Sequence, residues 1–69
     1  MSNAIKYWRE KQKVTQQQLA DLIEIDRPTL SKMENPNIPI DPDEDLAIKI
    51  SRILKCFVTD ILRKPPEEI

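Results

Sequence analysis

The side chains best suited to recognition chemistry lie together in residues 15–35, which read TQQQLADLIEIDRPTLSKMEN. Arg27 and Lys32 carry positive charge, and Ser31 offers a hydroxyl beside them. On a helix these positions share an outer face, because residues three and four apart are neighbours. Such groups donate hydrogen bonds and attract anions. Their arrangement indicates recognition of an acidic surface and not bond cleavage.

Catalytic chemistry finds little support elsewhere in the chain. There is no histidine, no glycine for a phosphate-binding loop and a single cysteine, Cys56, which we expect to pack and not to react. No carboxylate pair stands in a credible pocket. The acidic run DPDED at residues 41–45 lacks the glycine and spacing of a calcium loop. We predict no enzyme activity, no metal site and no cofactor.

Length and composition indicate one globular domain over residues 1–69. Of the 69 residues, 39% are hydrophobic and 33% are charged, a balance that disordered tails do not have. No apolar run approaches the ~20 residues of a membrane span, and no signal peptide opens the chain. We therefore expect a cytoplasmic protein with neither a membrane nor a small-molecule partner.

Apolar residues recur at helical spacing throughout, and no segment alternates as a strand would. The predicted stripes are Ile5 with Trp8, then Leu19, Leu22 and Ile23, then Leu30 with Met33, and last Leu46, Ile50, Ile53 and Leu54. They predict an all-α fold of five short helices, with Trp8 in the core.

Capping residues predict where the central helices begin. Thr15 and Gln18 have the spacing of a capping box, in which each side chain bonds the other residue's backbone amide. Asp26 is placed so that its carboxylate can accept the first amides of the third helix. Asp41 and Pro42 have the favoured order of a cap followed by proline at the first helical position. They predict the start of the fourth helix.

Proline residues mark the end of the last helix and the loop before the fourth helix. Phe57 or Thr59 begins the fifth helix, and Pro65 with Pro66 ends it. The NPNIPI segment at residues 35–40 is too rich in proline to be helical. We predict an ordered surface loop there.

These residues together resemble the helix-turn-helix domain of phage Cro and CI-type repressors, the bacterial XRE-like family. The resemblance runs from about residue 5 to residue 62. Its most specific parts are T-Q-x-x-L-A at residues 15–20 and R-x-T-[IL]-S-[RK]-[MIL]-E-N at residues 27–35. It implies a five-helix, lambda repressor-type DNA-binding fold, with the motif over about residues 16–35 and the fourth and fifth helices within about 42–63.

The resemblance implies a transcriptional regulator, a repressor by preference, whose helix 16–23 crosses the DNA backbone while helix 27–34 lies in the major groove. The DNA contacts it implies are Gln16, Gln17, Asp26, Arg27, Pro28, Ser31, Lys32 and Asn35. Arg27 is the expected base reader, because a guanidinium can grip O6 and N7 of guanine. Arg9 and Glu34 match positions that form a shielded ion pair between the first and third helices.

Two features depart from the family pattern. The family usually has glycine where this chain has Lys13, Glu24 and Lys55, at helix ends that tend to need a left-handed backbone. A non-glycine residue in that conformation costs on the order of 1 kcal/mol, so we expect either that cost or a different turn geometry. The loop at 35–40 also lacks the basic residue that commonly meets phosphate.

The net charge of −1 is low for a DNA-binding protein. Residues 1–40 hold six basic and five acidic residues, and residues 41–69 hold five and seven. We expect Lys6, Lys11, Lys13, Arg27 and Lys32 to gather on the DNA side, with the acidic run 41–45 away from it. The alternative to DNA binding is a plain helical bundle. In that case Arg27 and Lys32 would be merely solvated charges.

A single recognition helix covers few base pairs, so we expect a two-fold homodimer on a palindromic operator. The predicted interface is Phe57, Val58, Ile61 and Leu62, with Phe57 preferred because the family often has a small polar cap there. The alternative function is a protein-interaction module with the same fold, such as the antitoxin of a toxin pair. The protein would associate with the nucleoid only when it binds DNA.

Overall fold

The computed structural model describes residues 3–65, which form five α-helices and no β-strand. The helices are α1 (Ile5–Lys11), α2 (Gln16–Leu22), α3 (Arg27–Glu34), α4 (Glu44–Leu54) and α5 (Val58–Leu62). The predicted all-α fold of five helices is confirmed. Within these residues, every helix is too short or too polar to cross a membrane.

One hydrophobic core joins the five helices. Each helix contributes at least one fully buried large side chain, and these are Ile5, Leu19, Leu30, Ile50, Leu54 and Ile61. Trp8 packs partly buried against this core, as predicted. Full burial of an isoleucine or leucine side chain contributes about 1.5–3 kcal/mol to stability. These contacts hold the positions of α2 and α3 relative to the other helices.

The stripe predicted for α2 is wrong at one residue. Leu22 is 60% exposed, whereas Leu19, Ala20 and Ile23 are buried. At 100° per residue the three buried positions span about 100° of the helix, and Leu22 lies about 60° outside that arc. Ile23 therefore fills the core, and Leu22 remains on the surface.

The two helices of the motif begin with different caps. At α2 the capping box is confirmed, since Thr15 Oγ1 accepts from the Gln18 N–H at 3.0 Å and Gln18 Oε1 accepts from the Thr15 N–H at 2.9 Å. At α3, Asp26 is the N-cap residue, but its side chain accepts no backbone amide. Pro28 has no N–H to give, and the Thr29 hydroxyl donates to Asp26 Oδ1 instead. The predicted side-chain cap by Asp26 was wrong.

The fourth helix begins later than predicted. Its N-cap is Asp43, whose Oδ1 accepts from the Leu46 N–H at 2.8 Å. Asp41 Oδ1 instead accepts from Asn3 Nδ2 at 3.0 Å. The cap predicted at Asp41 and Pro42 was wrong, because Asp43 and not Asp41 accepts the first-turn N–H of α4.

The fifth helix begins at Val58 with Phe57 as its N-cap, the earlier of the two starts left open by the sequence. The Phe57 N–H donates to Asp60 Oδ2 at 3.0 Å. Ile61 is fully buried, and its carbonyl oxygen accepts from the Ala4 N–H at 2.9 Å. Its predicted place in a dimer interface was wrong, because a side chain that fills the core of its own chain is not available to a partner.

The proline-rich segments of residues 3–65 lie outside the helices, as predicted. Residues 35–43 contain no helix, and the Ile38 N–H donates to the Asn35 carbonyl oxygen at 3.1 Å within that loop. Helix α5 ends at Leu62, ahead of Pro65. Pro66 lies outside the described residues.

The ends of α1, α2 and α4 adopt the left-handed backbone without glycine. The φ angles are 58° at Lys13, 61° at Glu24 and 57° at Lys55. Of the two expected outcomes, the costly conformation is therefore the one present at all three positions. Each position keeps the helix-ending geometry that a glycine normally provides.

The same hydrogen bond and the same packing close each of these three turns. In each turn the residue after the left-handed position donates its N–H to the carbonyl oxygen of the residue five positions earlier, at 3.0 Å. The donors are Val14, Ile25 and Cys56. These three side chains also pack partly buried against the core. A Schellman-type bond joined to apolar packing thus offsets the local backbone cost.

Replacing Lys55 by glycine tests this account. We expect Lys55→Gly to stabilise the protein by roughly 1 kcal/mol, because glycine adopts φ > 0 without a Cβ clash. The matched control Lys49→Gly removes the same charge from the exposed interior of α4 and should destabilise by about 1 kcal/mol. Thermal unfolding measures both. Equal destabilisation by the two variants would show that the Lys55 turn carries no backbone cost.

Candidate nucleic-acid interface

Helix α3 has one polar face directed away from the core. At 100° per residue, the positions 27, 28, 31, 32 and 35 fall within about 140° of its circumference. The buried residues Leu30 and Met33 lie on the opposite side. Arg27, Pro28, Lys32 and Asn35 are exposed on this face, and Ser31 is half-buried. The residues after Asp26 therefore project together from a rigid helix.

The Arg27 side chain is held at the start of this face by α2. Its Nη1 donates to Gln16 Oε1 at 3.3 Å. Gln16 in turn donates from Nε2 to Glu34 Oε1 at 3.0 Å. Because the Glu34 carboxylate can only accept, it directs the amide nitrogen of Gln16 inward and leaves the amide oxygen for Arg27. The two helices of the motif are thus joined through polar side chains as well as through the core.

The chain of hydrogen bonds ends in a shielded ion pair between α1 and α3. Arg9 Nε donates to Glu34 Oε2 at 2.7 Å, and Arg9 Nη2 donates to Glu34 Oε1 at 3.0 Å. The side chains of Arg9 and Glu34 are 10% and 3% exposed. Arg9 Nη1 also donates to the Val14 carbonyl oxygen at 2.7 Å. A bidentate pair of this kind fixes geometry as well as neutralising charge.

Asp26 carries a negative charge at the first turn of α3. The hydrogen bond from the Thr29 hydroxyl lowers the pKa of Asp26 below its usual value. Lys32, six residues further along the chain, lowers that pKa to a smaller extent. The carboxylate is therefore ionised at neutral pH, and it can accept a hydrogen bond from a base edge but repels phosphate.

Two further residues of the predicted set, besides Gln16, Asp26 and Arg27, have side chains that form hydrogen bonds within the protein. Gln17 is exposed, and its Nε2 donates to Asp21 Oδ1 at 2.9 Å along α2. Asn35 Oδ1 accepts from the Asn37 N–H at 2.9 Å. In the described part of the chain the Asn35 amide nitrogen has no acceptor, so its two hydrogens remain available.

The five cations expected to gather beside α3 are distributed over more than one surface. Lys11 lies over the rings of Tyr7 and Trp8, with Nζ 5.2 Å and 5.9 Å from their centroids. Lys13 lines an open cavity on the side of α2 that bears Leu22, away from Gln16. Lys6 lines a cavity with Gln16, Ser31 and Asn35. Helical spacing alone does not single out Lys6 among these cations, because the cavity forms only where three elements meet.

Reactive and metal-binding groups are sparse in residues 3–65. Cys56 is half-buried against the core, and this burial raises the pKa of its thiol. No group of three or more histidine, cysteine or acidic side chains in this range is arranged to hold a metal ion. The polar face of α3 and its neighbours are therefore the main candidate site.

A family model described as helix-turn-helix matches residues 5–59 of this chain. The match covers most of the sequence and includes all of α1 to α4, so the protein belongs to the helix-turn-helix family of the Cro and CI type. This family consists of DNA-binding domains, and the chain is accordingly a DNA-binding helix-turn-helix regulator. A comparison with curated proteins finds no significant match.

The variant Arg9→Met tests whether the ion pair supports the motif. It leaves the Glu34 carboxylate buried without its cation, and removal of one partner from a buried pair costs about 3–5 kcal/mol. Urea unfolding should show a loss of this size, and Arg9→Met/Glu34→Leu should recover much of it. The control Arg52→Met changes an exposed arginine and should stay within about 0.5 kcal/mol. A loss below about 1 kcal/mol for Arg9→Met would place the pair among weak surface pairs.

Proposed function

We propose that the protein regulates transcription, as a repressor, by binding a palindromic operator in double-stranded DNA. In this proposal α3 lies in the major groove, and its exposed polar face supplies the contacts to base edges. A helix with side chains is about 10–12 Å wide, which matches the roughly 12 Å width of that groove. The proposal also places the protein in the cytoplasm, at the nucleoid when it binds DNA.

The observation that carries the proposal is the position of Arg27. It stands exposed at the first residue of α3, and Gln16 holds its guanidinium from the neighbouring helix. A side chain that is already oriented loses less rotamer entropy on binding. Arg27 is thus the strongest candidate for a bidentate contact to guanine. Lys32, five residues later on the same face, would contact a base or a phosphate.

Substitution of Arg27 separates base reading from charge attraction. After selection of bound duplexes from a random pool, Arg27→Ala should lose preference at one base position in each half-site, worth about 1–3 kcal/mol. Lys32→Ala should either do the same at another position or weaken all sequences alike. The control Arg52→Ala, on the exposed surface of α4, should keep the full preference. Uniform weakening by Arg27→Ala would assign Arg27 to phosphate.

We base the proposed homodimer on the apolar surface around the start of α5. Phe57 is 78% exposed and Leu62 is 46% exposed. Val58 packs partly against the core and contributes only its outer edge. A phenylalanine at an N-cap position cannot cap the helix, so burial by a second copy gives this residue a stabilising role. A two-fold dimer would place two α3 helices about 34 Å apart, one DNA turn.

The variant Phe57→Ser tests this interface without weakening the helix, because serine is a favoured N-cap residue. We expect sedimentation to show a dimer for the unmodified chain and a monomer for Phe57→Ser at micromolar concentration, with operator affinity reduced. Leu22→Ser removes a comparably exposed apolar side chain from α2 and should leave the dimer intact. If Leu22→Ser alone gives the monomer, the interface lies on α2.

A protein-interaction module is the second candidate function. The same exposed Phe57 and the net charge of −1 favour it, since a weakly charged DNA binder gains affinity by adding a protein partner. An antitoxin would use the α5 surface for a different chain. A monomer in sedimentation that forms a 1:1 complex with the product of a neighbouring gene would favour this reading over the homodimer.

A further inference from the structure

A polar cavity of about 260 Å³ lies beside the recognition helix. Three elements build it: α1, the start of α2, and the end of α3 with the loop that follows. Its lining residues are Lys6, Gln16, Ser31, Glu34, Asn35 and Pro36. Because Ser31 and Asn35 also belong to the outer face of α3, the cavity opens at the border of the surface proposed to enter the groove.

The groups that face this cavity are mainly hydrogen-bond donors. Within residues 3–65, Lys6 Nζ has no ion-pair partner and Ser31 Oγ has no acceptor. The Asn35 amide nitrogen is likewise without an acceptor there, because Asn37 engages only its oxygen. Lysine, serine and asparagine side chains are among the usual donors to phosphate oxygens in protein–DNA complexes.

Glu34 is the one acidic side chain in the lining, and its charge is already compensated. Arg9 binds both of its carboxylate oxygens, and Gln16 donates to Oε1 as well. The side chain is only 3% exposed. The net charge offered at the mouth of the cavity is therefore that of the Lys6 ammonium.

We infer that Lys6, with Ser31 and Asn35, binds a backbone phosphate of the DNA that flanks the recognition helix. This inference rests on the proposed function. The loop after α3 has no charged residue between positions 36 and 40, so Lys6 supplies from α1 the cation that this loop lacks. Glu10, one turn along α1, is the competing partner, but no ion pair joins it to Lys6 in the described chain.

The test is the salt dependence of duplex binding. Each phosphate contact contributes roughly 0.9 to the slope of log affinity against log salt. The Lys6→Gln variant should reduce the slope by about 0.9 per protomer, or about 1.8 for a two-fold dimer, while the selected base sequence stays the same. For the dimer, raising the salt concentration fourfold should therefore weaken binding of Lys6→Gln roughly tenfold less than it weakens binding of the unmodified chain. Lys6→Arg should keep the slope of the unmodified chain.

The control Lys49→Gln removes the same charge from the exposed surface of α4. If Lys6→Gln and Lys49→Gln change the slope equally, the assignment of Lys6 to phosphate is overturned. Failure of the proposed function has a different signature, in which the unmodified protein selects no sequence from a random pool. In that case a slope that still falls for Lys6→Gln on an arbitrary duplex supports the phosphate contact alone.

Discussion

The shielded pair between Arg9 and Glu34 is the interaction on which the arrangement of the candidate interface depends. It ties α1 to the end of α3, and Arg9 also closes the turn after α1 through the Val14 carbonyl oxygen. Removing two charges from water is costly unless geometry and additional hydrogen bonds are good. Here Gln16 supplies an additional hydrogen bond, because its Nε2 donates to Glu34 Oε1. This bond leaves Gln16 Oε1 directed toward Arg27, from which it accepts. A purely apolar contact would hold the helices together but would not orient a side chain on the surface.

This network also places two arginines in different environments within one small domain. Arg9 is buried, and its guanidinium donates its hydrogen bonds to groups within the protein. Arg27 is exposed and keeps most of its donors for a ligand. The uncharged amide of Gln16 connects Glu34 to Arg27, so Arg9 and Arg27 do not compete for the Glu34 carboxylate. With a net charge of −1, this protein has few cations to place, and their positions matter more than their number.

Much of the fold follows from local rules. The apolar spacing, the capping box at Thr15 and the bounds of α3 all come from neighbours within a few residues, where helix geometry decides what is close. Two predictions nevertheless failed within this local range. Pro28 and Thr29 explain the absence of a side-chain cap at Asp26, and the angle between helix positions explains the exposure of Leu22. The predictions that failed at Asp41 and Ile61 concern contacts with distant parts of the chain. The Asp41 carboxylate accepts a hydrogen bond from Asn3, 38 residues away, and Ile61 is buried because α5 packs onto the common core.

The sequence by itself determined five helices, a polar face on the third and the identity of the family, because periodicity and short motifs are written along the chain. Only the tertiary structure decided which charges are usable. It buried Arg9, held Arg27 beside Gln16, placed Lys13 in a cavity with Leu22, and brought Lys6 beside the polar face of α3. The physical reason is that a side chain's charge is in the sequence, whereas its exposure and its partners depend on how the helices pack.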